Sequence, residues 1–82
     1  MDQIARTAAQ IGAALRRRRR QLGLTQHQLG DKIHLRQATV SKLEAGEPAT
    51  QLKTMLDALS ALDLELVVRP RTKASSDLED VF

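Results

Sequence analysis

Gln37, Ala38, Thr39 and Ser41 lie within five positions of one another, and their types suit reading a surface more than transforming a substrate. A glutamine amide pairs through a donor and an acceptor with the edge of adenine. An alanine methyl packs on a thymine methyl, and short hydroxyl side chains let a helix sit deep in a groove. Ser41 stands one turn beyond Gln37 and Ala38 and shares their face. Groups suited to phosphate surround them. Arg36 precedes the segment, Lys42 follows Ser41, and Gln26 opens an earlier helix, where free N–H groups and the positive helix end favour an anion. The expected division is base reading by Gln37, Ala38, Thr39 and Ser41, and phosphate positioning by Gln26, Arg36 and Lys42.

Catalytic and metal chemistry have no comparable support. His27 and His34 are seven positions apart on different expected elements, and the chain has no cysteine. Ser41 is not flanked by a base, and neither a phosphate loop nor a nucleophile elbow is present. The expectation is a protein that is not an enzyme and uses no metal or cofactor.

The elements that must position these residues are legible in the apolar spacing. A first helix is expected from near Ile4 to Leu22, with Ile4, Ala8, Ile11, Leu15 and Leu22 on one face and Gly23 at its end. Arg16 to Arg20 circle that helix, so they cannot share one role. Arg19 falls on the buried face, four after Leu15 and three before Leu22, and needs a partner there. Thr25-x-x-Gln28 is a capping box opening a second helix, with Leu29 and Ile33 inward and a break at His34-Leu35. A third helix places Val40 and Leu43 inward and Gln37, Ala38, Thr39, Ser41 and Lys42 outward, and Gly46 and Pro48 stop it. A fourth should run from an N-cap at Thr50 to about Leu62. Its stripe of Leu52, Met55, Leu56, Leu59 and Leu62 is wider than one small core requires, and the excess suggests a dimer surface. Leu64-Glu-Leu-Val-Val-Arg69 alternates as a strand does, and Pro70 ends it. A lone strand leaves backbone groups unpaired, and a two-fold-related copy would supply the second. Leu64, Leu66, Val67 and Val68 are therefore the expected dimerisation residues.

The run Leu24-Thr25-Gln26, Leu29-Gly30-x-Lys32-Ile33 and Gln37-Ala38-Thr39-Val40-Ser41-Lys42-Leu43-Glu44-x-Gly46 resembles the helix-turn-helix of the phage-repressor-like, or XRE (Cro-like), family. The likeness extends from about Ile11 to Arg69. With Arg36-Gln37-Ala38-Thr39-Val40-Ser41, the leucine-rich helix and Leu64-Glu-Leu-Val-Val68, the whole set looks like a HipB-type antitoxin. The resemblance implies an all-α, lambda-repressor-like DNA-binding domain of four to five helices, with one short C-terminal strand shared across a homodimer. It implies palindromic double-stranded operator DNA as a partner, an Arg19–Glu44 pair, and a HipA-like kinase toxin held inactive while the operon is repressed. A stand-alone regulator without a toxin, and a protein-interaction module that has lost DNA binding, are the other readings. Two positions depart from the family, which usually has Ala at Gly30 and Gly at His34. A glycine within a helix costs roughly 1 kcal/mol relative to alanine, and histidine is among the few residues enriched at positive φ.

Eighty-two residues, one aromatic among them, make one small domain whose core rests on Leu, Ile, Val and Ala. Residues 1–73 carry all 13 Lys and Arg and seven of the ten acids, a balance of +6, whereas residues 74–82 carry three acids and no base. A basic body suits a polyanion and an acidic tail suits something else. The expected division is a DNA-binding and dimerisation domain over 1–69 and a disordered acidic tail over 70–82. Leu78, Val81 and Phe82 of that tail are the candidate toxin contacts. With no apolar run suited to a signal peptide or a membrane span, the expected location is the cytoplasm, at the nucleoid, with no membrane partner.

Overall fold

The computed structural model describes residues 3–71. Four helices follow one another: α1 (Ala8–Gln21), α2 (Gln26–Ile33), α3 (Gln37–Glu44) and α4 (Leu52–Ala61). α3 packs against both α1 and α2, and α4 closes the bundle against α2. Leu15, Leu29, Val40, Leu43, Ala58 and Leu62 form the buried centre. Ile11, Leu24, Ile33, Met55, Leu59, Ala61 and Leu64 pack around it half-buried.

One device ends all four helices. Gly23, His34, Gly46 and Asp63 take left-handed backbone angles, with φ of 71°, 58°, 81° and 56°. After each, the next N–H returns to a carbonyl five residues back: Leu24 to Arg19, Leu35 to Gly30, Glu47 to Lys42 and Leu64 to Leu59, at 2.8–3.1 Å. The orphan carbonyls of each last turn are thereby used, and the chain reverses within a few residues. The sequence marks the two glycines and His34. Asp63 in this role is a finding of the structure.

Two helix starts differ from expectation. α1 begins at Ala8, not near Ile4, because Thr7 provides a cap: its hydroxyl accepts from the Gln10 N–H at 3.1 Å. Ile4 precedes the helix and is 51% exposed, so the apolar face narrows to Ile11, Gly12, Leu15 and Arg19. Leu22, placed on that face by spacing, becomes the C-cap and is 44% exposed. α4 begins at Leu52 with Gln51 as N-cap, not at Thr50. Thr50 closes a turn begun at Glu47, its N–H donating to the Glu47 carbonyl at 3.1 Å, with Pro48 in the second position that such turns favour.

Residues 64–71 form no regular element in the single chain. The strand expected over 64–69 requires a second strand, and the described residues offer none. Leu64 stays packed on the core, while Leu66, Val67 and Val68 are 53%, 65% and 92% exposed. On α4, Leu52 and Leu56 are also exposed. The tail residues Leu78, Val81 and Phe82 lie outside the described residues.

Candidate nucleic-acid interface

The candidate interface is built by α2, its turn and α3. α2 starts on a reciprocal cap in which the Thr25 hydroxyl accepts from the Gln28 N–H at 3.0 Å and the Gln28 side-chain Oε1 accepts from the Thr25 N–H at 2.8 Å. Leu29, fully buried, anchors it. The two departures from the family pattern meet in the turn that follows. His34 takes the left-handed angles, and Leu35 donates back to Gly30 at 2.9 Å. A Cβ at Gly30 would stand 2.5 Å from the Leu35 carbonyl oxygen. Gly30, a weak helix residue by propensity, is what lets the turn lie directly on the helix backbone.

α3 buries Val40, Leu43 and Glu44, and its opposite side is open. Gln37, Ala38, Ser41 and Lys42 are exposed on it, and Thr39 is half-buried beside Val40. Arg36, the N-cap, makes no capping bond with its side chain and is itself exposed, so the helix start and its guanidinium face outward together. His27, Asp31, His34, Arg36 and Gln37 rim a shallow cleft along the turn. The His27 Nδ1 lies 3.2 Å from Asp31 one turn away, with both side chains mostly exposed. Among the described residues no cluster of three or more His, Cys, Asp or Glu could hold a metal.

What holds α3 in place is charged and buried. The Arg19 guanidinium donates to both carboxylate oxygens of Glu44, Nε to Oε2 at 2.6 Å and a terminal nitrogen to Oε1 at 3.0 Å. Its other terminal nitrogen donates to the Leu24 carbonyl at 2.7 Å. Both residues are only 7% exposed. The hydrogen bonds to Glu44 are the main influence on Arg19 and raise its pKa; burial opposes them and the charge of Glu44 adds to them. The fork geometry suits arginine and not lysine. From Glu44 the network continues outward. The Gln26 amide donates to Oε1 at 3.2 Å, and the Gln37 amide donates to Gln26 at 3.5 Å, a long contact. Gln26, expected at a phosphate, thus spends its side chain tying the foot of α2 to Glu44 and Gln37. Its backbone N–H remains in the first turn of α2, which has no partner within the helix.

The five arginines of α1 divide as a circling run must. Arg19 is in the core pair, and Arg18 is half-buried with its Nε donating to the Leu62 carbonyl at 3.0 Å. Arg16, Arg17 and Arg20 are exposed and line one shallow cleft with Ala13, Gln21 and Glu44. Gly12, unremarked in the sequence, lies where α1 crosses α3, and a Cβ there would overlap the Leu43 and Glu44 carbonyls. Its place three before Leu15 and seven before Arg19, on the same helix face, was the available signal.

The Helix-turn-helix family model matches residues 15–68. Antitoxin HipB of Escherichia coli K12 is 34% identical over 68 residues, which span 83% of this chain and 77% of that protein. Antitoxin HipB of Escherichia coli O6:H1 is 34% identical over the same share of this chain and 72% of its own. Among solved structures, a chain of the HipA-HipB-O2-O3 complex superposes with a TM-score of 0.80 at 31% identity, covering 87% of this chain and all of that one. The HipB-O4 20mer complex gives the same TM-score, identity and coverage.

Proposed function

Because this chain belongs to the helix-turn-helix family and, within it, to the HipB-type antitoxins, we propose that it binds operator DNA as a homodimer, represses its own operon and serves as the antitoxin of a HipA-like toxin. The observation that carries this is the open α3 face, braced from behind by a buried ion pair, on a fold that overlaps HipB chains over their whole length. The domain is not enzymatic in kind: its chemistry is recognition. Among the described residues no helix is long and apolar enough to cross a membrane, and the operator is where it acts, in the cytoplasm at the nucleoid.

In this reading α3 enters the major groove. Gln37, Ala38 and Ser41 face base edges, and Thr39 contributes from the edge of the face. Arg36 and Lys42 hold the flanking phosphates, and Gln26 does so through the first N–H groups of α2. Leu64, Leu66, Val67 and Val68 pair with their copies, and Leu52 and Leu56 extend that apolar surface. The two α3 helices then stand about 34 Å apart and read a palindrome. The acidic segment 74–82, with Leu78, Val81 and Phe82, repels phosphate and is the part we assign to the toxin.

DNA from upstream of the gene, titrated against random DNA, tests the reading. Gln37→Ala should lose about 1–3 kcal/mol on the operator and little on random DNA, whereas Arg36→Ala should weaken both and lower the salt slope by about one. Equal losses on both DNAs for Gln37→Ala would remove it from base reading. Truncation after Lys73 should leave operator binding intact and weaken capture of a HipA-like toxin. A truncated chain that binds the toxin as the full chain does would remove the tail's role.

A further inference from the structure

We propose that Arg18 is a positioning residue: by holding the Leu62 carbonyl it sets the direction in which the dimerisation segment leaves the bundle, and so the spacing of the two recognition helices. This rests on the reading of residues 64–69 as the dimer contact. The Leu62 carbonyl belongs to the C-cap of α4, where no helical N–H remains to take it. Arg18, from the middle of α1, donates to it from Nε at 3.0 Å. Leu62 itself is fully buried, Asp63 is left-handed, and Leu64 returns its N–H to Leu59 at 2.8 Å. The peptide joining α4 to the segment is therefore gripped from both sides, once by its own helix and once by the helix that carries the Arg19–Glu44 brace of α3. Among the described residues Leu64 is the last to pack on the core, and residues 65–71 are exposed.

The leverage is large. An extended segment rises about 3.3 Å per residue, so a change of ~10° at Asp63 moves the far end of six residues by about 3.5 Å. That is close to the 3.4 Å rise of about one base pair. Holding the exit angle would therefore bear directly on the half-site spacing of the proposed dimer. Arginine is suited to this because its planar guanidinium approaches a carbonyl in a fixed orientation. Arg18 is half-buried, in contrast to the exposed Arg16, Arg17 and Arg20, which places it apart from the groups available to phosphate.

The test compares wild type with Arg18→Met, which keeps the stem and removes the donor. The probes are the palindromic DNA from upstream of the gene, the same DNA with one base pair inserted or deleted at its centre, and random DNA. For the variant we expect a dimer by sedimentation, random-DNA affinity and salt dependence like wild type, and a preference for the native spacing reduced about fivefold, the scale of one hydrogen bond. Arg18→Lys should recover part of the preference. If the methionine variant does not fold, Arg18→Leu, which also lacks a donor, carries the same expectation. A folded, dimeric variant with wild-type spacing preference overturns the role of Arg18 alone. A salt slope smaller by about one makes Arg18 a phosphate contact and also overturns it. A wild type that is monomeric in solution and on the DNA overturns the dimer reading and this proposal together.

Discussion

At the scale of single residues, the Arg19–Glu44 pair decides whether α3 is held. Both groups are nearly excluded from water, and each satisfies the other through two hydrogen bonds. Removing one partner strands the other's charge in the interior, so Arg19→Ala and Glu44→Ala should each cost on the order of 3–5 kcal/mol. Thermal or urea unfolding measures this, and a melting point equal to wild type would mean that the pair contributes nothing. The pair also carries a pH expectation. Arg19 has its pKa raised in the fold, so its contribution is complete below the unfolded value and is lost only as pH climbs through the folded one. That window lies beyond ordinary alkaline conditions, and Arg19 adds no slope to stability from mild acid to mild alkali. A titration of stability that collapses in mild alkali in wild type but not in an Arg19→Met variant would contradict this.

At the scale of elements, two backbone contacts set how the helices approach. Gly12 allows α1 to lie on the C-terminal carbonyls of α3, where a methyl group would overlap Leu43 and Glu44. Gly12→Ala improves helix propensity by roughly 1 kcal/mol yet forces the helices apart at a cost of about 1–3 kcal/mol. The net expectation is destabilisation, together with weaker operator binding because α3 shifts. A Gly12→Ala protein more stable than wild type would show that the crossing can yield. His34 presents the opposite case. It holds a left-handed conformation that costs a non-glycine residue about 1–2 kcal/mol, while glycine there gives back about 0.4–1 kcal/mol in unfolded-state entropy. His34→Gly should therefore stabilise by about 0.5–1 kcal/mol, visible as a rise of a few degrees in Tm, and an unchanged or lower Tm would show that the imidazole earns its place through contacts.

At the scale of the molecule, the domain is a small bundle with an unpaired apolar edge. Leu52 and Leu56 on α4 and Leu66, Val67 and Val68 beyond it are exposed in the single chain. In the proposed dimer, a second copy pairing the 64–69 segments would cover them and supply the missing strand partner. Val67→Pro removes a backbone donor from that pairing while leaving the buried cluster untouched, so the monomer fold should survive by circular dichroism. Dimer dissociation should rise about tenfold or more, about 1.4 kcal/mol, and operator affinity should fall with it. A Val67→Pro protein that sediments as wild type would move the interface elsewhere.

The local signals were strong enough to be read from the chain directly. The Thr25–Gln28 cap, the inward Leu29, Val40 and Leu43, the outward Gln37 to Lys42 face and the stops at Gly23, His34 and Gly46 all depend on interactions within five residues, and short-range sterics and hydrogen bonding decide them. Arg19's burial followed from helical spacing, and the family resemblance supplied Glu44 as its partner. Helix starts were less legible, because Thr7 and Thr50 are equally good caps by type and only the surrounding turn decides which is used. Other contacts between distant parts of the chain belonged to the tertiary structure alone. Gly12 under the α3 carbonyls, Gln26 turned onto Glu44, and Arg18 on Leu62 each join residues 18 to 44 positions apart. No spacing rule reaches so far, since the relative placement of packed helices is fixed by how their side chains and backbones fit.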